Sequence, residues 1–149
     1  MAGVRLLHVP YGGTAQVMSD LLAGRVQVMF SPASTVLPQV NEGKLLALAS
    51  TGLQRASAAP DLPTVAESGV PGFDTSGWFG LLAPAGVSRD VIDRLAEATN
   101  EAAKSPDVIA ALRPLGYDME GGSPEAFAAF IRADLEKWSR VAAATGLKR

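Results

Sequence analysis

The run His8-Val9-Pro10-Tyr11-Gly12-Gly13-Thr14-Ala15, with the helix it feeds, constrains this chain most. Residues 4–9 form a short, mostly apolar stretch closed by a proline, the signature of a strand. Behind the turn, Val17, Met18, Leu21 and Leu22 recur at helical spacing, and Gly24 stands where a left-handed cap would end the helix. Thr14 is expected to be the N-cap, its hydroxyl taking one free N–H of the first turn. A Gly-Gly turn running into a helix leaves unpaired N–H groups and the positive end of a dipole pointing outward. That is the outline of an anion site, suited to a carboxylate or a phosphate. Read only as a turn, the same residues carry no ligand at all.

A second strand-like segment, residues 26–30, follows one helix later. Strand, helix and strand make a right-handed crossover with parallel strands, so the fold class is α/β. Ser31 comes at the carboxyl end of the second strand, where open parallel sheets hold ligands, and is expected at the same rim as Gly12 and Gly13. A capping role for Ser31 explains it equally well. Thr35 to Asn41 reads as a helix with Pro38 early in it, and residues 44–49 as a third strand covered on both faces. Residues 50–63 show no period and form a loop. Thr64-Val65-Ala66-Glu67 is a capping box with a single turn behind it, closed by Gly69. Residues 73–83 are extended and broken by two glycines, with Trp78 and Phe79 expected to pack.

The rest is helical. Ser88 caps a helix reaching Lys104, with Val91, Ile92, Leu95 and Ala98 inward. Ser105-Pro106 opens a helix that stops before Pro114, and Ser123-Pro124 opens the last one. Leu95, Phe127, Phe130, Ile131 and Trp138 make apolar faces that want a partner.

Composition removes several function classes. The 149 residues suffice for one domain, with 48% hydrophobic and 19% charged residues. A net charge of −2 leaves no footprint for nucleic acid or anionic lipid. No apolar run approaches the roughly 20 residues that span a bilayer. With no cysteine and a single histidine, His8, thiolate chemistry, Fe–S clusters and a histidine-rich metal site are excluded. A hydrolase would have to use His8 without an orienting acid or a nucleophile elbow. The expectation is therefore no catalytic residue, no metal and no cofactor.

Several motifs in order resemble one known family. Val9-Pro10-Tyr11 with Gly13-Thr14-Ala15, the run Asp20-Leu21-Leu22-Ala23-Gly24-Arg25-Val26, and Pro60-Asp61-Leu62-Pro63-Thr64-Val65-Ala66-Glu67 carry the resemblance, with Trp78-Phe79-Gly80-Leu81-Leu82-Ala83-Pro84 and Gly122-Ser123-Pro124. Together they resemble the tripartite tricarboxylate transporter receptors, also called the Bug family, and the likeness covers nearly the whole chain. The resemblance implies a periplasmic-binding-protein type 2-like fold, here partial. Residues 1–74 would be part of the second lobe, as parallel βαβ units, and residues 75–149 a crossover strand and helices returning to the first. It implies a non-enzymatic, extracytoplasmic receptor that captures a small carboxylate for a membrane permease. Tyr11, Gly12, Gly13, Thr14, Ala15 and Ser31 would bind the ligand: backbone N–H groups from 13–15 hold one carboxylate, Ser31 adds a hydroxyl, and Tyr11 gives an apolar wall with a polar tip. Two positions depart from the family pattern: Gly12 stands where relatives often have lysine, and Ser31 where they often have aspartate. Relatives are about twice as long and carry an export signal, which Met1-Ala2-Gly3-Val4-Arg5 lacks. The location is periplasmic by resemblance, and cytoplasmic if Met1 is the native start. The missing half, or a homo-oligomer in its place, is then an expected partner. The alternative function is an assembly module that binds nothing and is stable only as that oligomer.

Overall fold

The helices among the described residues begin and end where local chemistry starts and stops them. The structure is a computed structural model that describes residues 3–146. In chain order they are α1 (Thr14–Leu22), α2 (Ala33–Asn41), α3 (Arg89–Lys104), α4 (Pro106–Leu112) and α5 (Pro124–Thr145). A 3-10 turn, Arg113–Leu115, follows α4 and contains the proline that ends it. Gly24 at φ 72° and Gly116 at φ 80° supply the left-handed residues that close α1 and the 3-10 turn. Ser88 is the N-cap of α3 and Ser123 that of α5, each followed by an acid in the first turn, Asp90 and Glu125.

Two helix starts differ from expectation. Gly13, with extended dihedrals, is the N-cap of α1, and Thr14 is its first helical residue, with no side-chain cap bond. Threonine and glycine are nearly equal as N-caps, so propensity does not choose between them, and Gly13 adopts the extended geometry freely. Helix α2 starts at Ala33, two residues before the expected Thr35, so Pro38 falls at its sixth position. There the missing N–H leaves the Ser34 carbonyl without its helical donor, so the proline sits deeper than the sequence suggested.

The segments expected as parallel strands, residues 4–9, 26–30 and 44–49, form no ladder among the described residues. One parallel bridge, Ser50 to Thr64, stands alone. Parallel strands hold together when layers cover both faces. Here Leu7 is 91% exposed, Leu46 82% and Phe30 66%, so no covering layer drives the segments into pairing.

The chain divides into two compact units. The first runs through Phe79 and takes back Ala110–Asp118; the second holds Gly80–Ile109 and the chain from Met119. In the first unit, the capping box forms as expected. The Thr64 N–H donates to Glu67 Oε2 at 2.7 Å, and the Glu67 N–H donates to Thr64 Oγ1 at 3.0 Å. Thr64 is fully buried, and Arg55 holds Glu67 from outside at 3.0 Å. The returning segment packs on the start of α2: a methyl on Gly116 would overlap that of Ala33, and Tyr117 lies 3.4 Å from Ser34 by their hydroxyls. Asp118 accepts hydrogen bonds from the Ser57 hydroxyl and backbone N–H. Phe79 meets the Tyr117 ring edge-on, with centroids 5.6 Å apart.

In the second unit, α3 and α5 pack against each other. Asn100 of α3 grips Gly122, its amide donating to the carbonyl at 3.0 Å and its oxygen accepting the N–H at 2.7 Å. Arg89 bridges Asp93 at 2.7 Å and Glu125 at 2.5 Å. Ala103 is the buried apolar residue of this unit among those described. Val91 and Leu95, expected inward, are 45% and 43% exposed, and Phe130 and Trp138 of α5 remain open as well.

Candidate functional site

The site grows from the dihedrals of Gly13. Its φ of 179° and ψ of 163° bring the chain extended into α1, so the first-turn N–H groups point back along the helix axis. Among the described residues, no protein acceptor takes the N–H of Gly12, Gly13, Thr14 or Ala15. All four residues are exposed. A Cβ added to either glycine would meet nothing within 4 Å. Neither packing nor a left-handed dihedral therefore requires glycine at 12 or 13, and what the two glycines leave is open approach to the N–H groups.

Tyr11 is half-buried, and its hydroxyl is already used. It donates to Asp20 Oδ2 at 2.9 Å, across α1 from the turn. Arg25, brought back by the left-handed Gly24, donates from Nη1 to Asp20 Oδ1 at 2.7 Å. The Asp20 carboxyl is held below its ordinary value, first by the Arg25 hydrogen bond and then by that of Tyr11. The Tyr11 phenol is pushed up, first by its partial removal from water and then by the carboxylate it serves. The polar tip of Tyr11 is thus directed along the helix flank rather than at the first-turn N–H groups.

Ser31 stands before α2, next to its N-cap Pro32. Its Oγ is shielded from solvent and has no hydrogen-bond partner. Such an orphan costs about 1–3 kcal/mol unless something else meets it. The six candidate residues therefore fall at the starts of two successive helices, Tyr11 to Ala15 at α1 and Ser31 at α2. Sequence reading passed over Asp20 and Arg25. The available signal was an aspartate in the last turn of a helix, where the dipole opposes it. It also passed over Tyr117, which closes on α2 from 83 residues away and leaves no local pattern.

An alternative site carries less. A surface groove of about 510 Å³ lies along α3 and the start of α5, but in it Arg89 already pairs with Asp93 and Glu125, and Asn100 with the Gly122 backbone. No group of three metal-ligating side chains gathers among the described residues, and no helix there is long and apolar enough to cross a membrane.

Similarity to known proteins places this open helix start in a family. The fold is that of the periplasmic binding proteins. A solved structure from R. palustris, Rpa4515 with adipate, superposes with a TM-score of 0.83 at 33% identity, covering 98% of this chain and 49% of that one. MatC from Rhodopseudomonas palustris with bound malate gives 0.71 at 30% identity, covering 89% and 46%. The chain belongs to the tripartite tricarboxylate transporter receptor family, whose model matches residues 1–147. A relative from Pseudomonas sp. (strain P51), the UPF0065 protein in the tcbD-tcbE intergenic region, is 40% identical over 94% of this chain and 42% of its own. Another, in the clcB-clcD intergenic region of Pseudomonas knackmussii, is 36% identical, with 94% of this chain and 83% of its own covered. The chain thus spans about half the length of the solved structures and of the first relative, and most of the second.

Proposed function

We propose that this chain is the carboxylate-gripping part of an extracytoplasmic receptor that delivers a small carboxylate to a tripartite tricarboxylate-type permease. One observation carries the reading: the first-turn N–H groups of α1 are unclaimed and stand behind two glycines that nothing in the fold demands. Each N–H to carboxylate bond is charge-assisted, so a site without lysine or arginine suffices for one carboxylate. Thr14 and Ala15 supply N–H groups with Gly12 and Gly13, the orphan Ser31 hydroxyl offers a further contact, and the Tyr11 ring forms a wall. In this reading residues 1–74 belong to one lobe of the receptor, and 75–149 are the return to the other. The protein is periplasmic and performs no reaction. Adipate and malate in the similar structures set the ligand class to try first.

The test is Gly13→Val. An extended φ suits valine and open space surrounds the position, so the fold should be unmoved while the side chain covers the N–H groups. Ligand-observed NMR with adipate, malate and citrate is expected to show binding on the order of millimolar in the wild type, since half a cleft loses the other lobe's contacts. Gly13→Val should weaken it at least about tenfold with an unchanged melting temperature. Equal binding by both proteins, or none by the wild type, removes the site.

A further inference from the structure

One carboxylate ties together both ends of α1. Asp20 accepts the Tyr11 hydroxyl from the turn before the helix and the Arg25 guanidinium from the turn after it. Its backbone carbonyl also accepts the Arg25 N–H at 2.8 Å. Asp20 occupies the last turn of α1, where helix propensity and the dipole both disfavour a carboxylate. A tyrosine hydroxyl has a single proton, and that of Tyr11 is committed to Asp20. Towards any bound acid the phenol can offer only lone pairs, so Tyr11 does not help by donating.

What Tyr11 can do is fix the turn. It lies one residue before Gly12 and Gly13, the two most permissive residues of the segment, and neither glycine has a side chain to anchor it. We propose that Asp20 is the positioning residue of the carboxylate site. Through Tyr11 it holds the Gly12-Gly13 turn in register with the first turn of α1, and it does not touch the ligand. This role rests on the receptor reading above. Arg25 secures the carboxylate from the solvent side, its side chain being 72% exposed against 23% for Asp20. Ordering the turn in advance spares the ligand that cost, which is worth up to about tenfold in affinity for one rotamer-rich side chain.

Charge and positioning predict opposite signs, and this separates them. Asp20 is six residues into the helix from Thr14, about 9 Å along the axis, within reach of its field. If its charge alone mattered, Asp20→Ala would tighten binding of an acid. The clasp predicts weakening.

The experiment measures adipate and malate binding by ligand-observed NMR for the wild type, Asp20→Ala, Asp20→Asn and Tyr11→Phe, beside melting temperatures and the high-pH phenolate absorbance. Asp20→Ala and Tyr11→Phe should each lose about tenfold, and Asp20→Asn, which keeps an oxygen for Tyr11, should regain most of it. The double variant Asp20→Ala/Tyr11→Phe should lose no more than either single one. The phenolate step that Tyr11→Phe removes should shift to lower pH in Asp20→Ala, since the carboxylate that helps raise it is gone. Binding by Asp20→Ala as tight as or tighter than wild type overturns the proposal, as does Asp20→Asn binding no better than Asp20→Ala. Should Asp20→Ala fail to fold, Asp20→Asn and Tyr11→Phe decide alone: equal weakening by both overturns the clasp. A wild type that binds none of the acids overturns the receptor reading and this role with it. The phenolate shift still reports whether Asp20 holds Tyr11.

Discussion

Two helix starts in this molecule are built in opposite ways. At α5 every loose end is taken: the Ser123 hydroxyl accepts the Ala126 N–H at 3.1 Å, Asn100 holds Gly122 by both backbone atoms, and Arg89 pairs with Glu125. At α1 the cap is a glycine, no side chain caps the first turn, and no protein acceptor claims those N–H groups among the described residues. The chain runs extended into each helix, so the backbone path is not the difference. The difference is what meets the free donors. A start finished by its own side chains is architecture, whereas one left open beside two unobstructed glycines is available to something from outside.

The contrast breaks most severely if Asn100 is removed. Asn100→Ala should cost about 1–2 kcal/mol, the net worth of its two hydrogen bonds to the exposed Gly122 backbone, read as a lower denaturation midpoint at unchanged m. The same change should leave carboxylate binding at α1 alone. Ser123→Ala should cost about 1 kcal/mol, the usual worth of a serine N-cap. The acid limb adds a further expectation. The Glu125 carboxyl is held low, first by its own backbone N–H and then by Arg89. A carboxyl with a depressed folded-state value stabilises above the ordinary value of 4.5 and loses that contribution as pH falls through the folded one. The melting temperatures of wild type and Glu125→Gln should therefore differ at neutral pH and converge below pH 4.5, and curves that stay parallel would show that the pairing adds nothing. Smallest of all is Thr14→Ala. With no cap bond to lose, it should change stability by less than about 0.5 kcal/mol. A loss near that of Ser123→Ala would mean that Thr14 caps the helix in solution, and the contrast would fail.

Helix punctuation was legible in the sequence because it is local. Ser88, Ser105-Pro106, Pro114, Gly116 and Ser123-Pro124 each act within one turn, and the helices begin and end beside them. The capping box at Thr64 and Glu67 was legible for the same reason. Strand pairing was not, since an apolar run at 44–49 says that the segment wants cover without saying what provides it. The candidate site was legible as a turn, and the motifs around it carried the family. What escaped were the long-range partners. Asp20 reads as one more acid on a helix, and Tyr117 as the first residue of a short strand over residues 117–120, until the fold brings each to its contact.

The return of Ala110–Asp118 into the first unit has a consequence for how the chain is made. A ribosome releases residues in order, so Ser34 and Ser57 emerge long before Tyr117 and Asp118, their partners 83 and 61 residues later. Until α3 and α4 have been synthesised, the start of α2 has no cover, and the nascent first unit carries exposed apolar side chains with part of its closure still inside the tunnel. Closing loops of that length is slow compared with forming a helix, because chain entropy is lost before any contact rewards it. The amino-terminal unit, although translated first, is therefore completed only after much of the second unit has emerged.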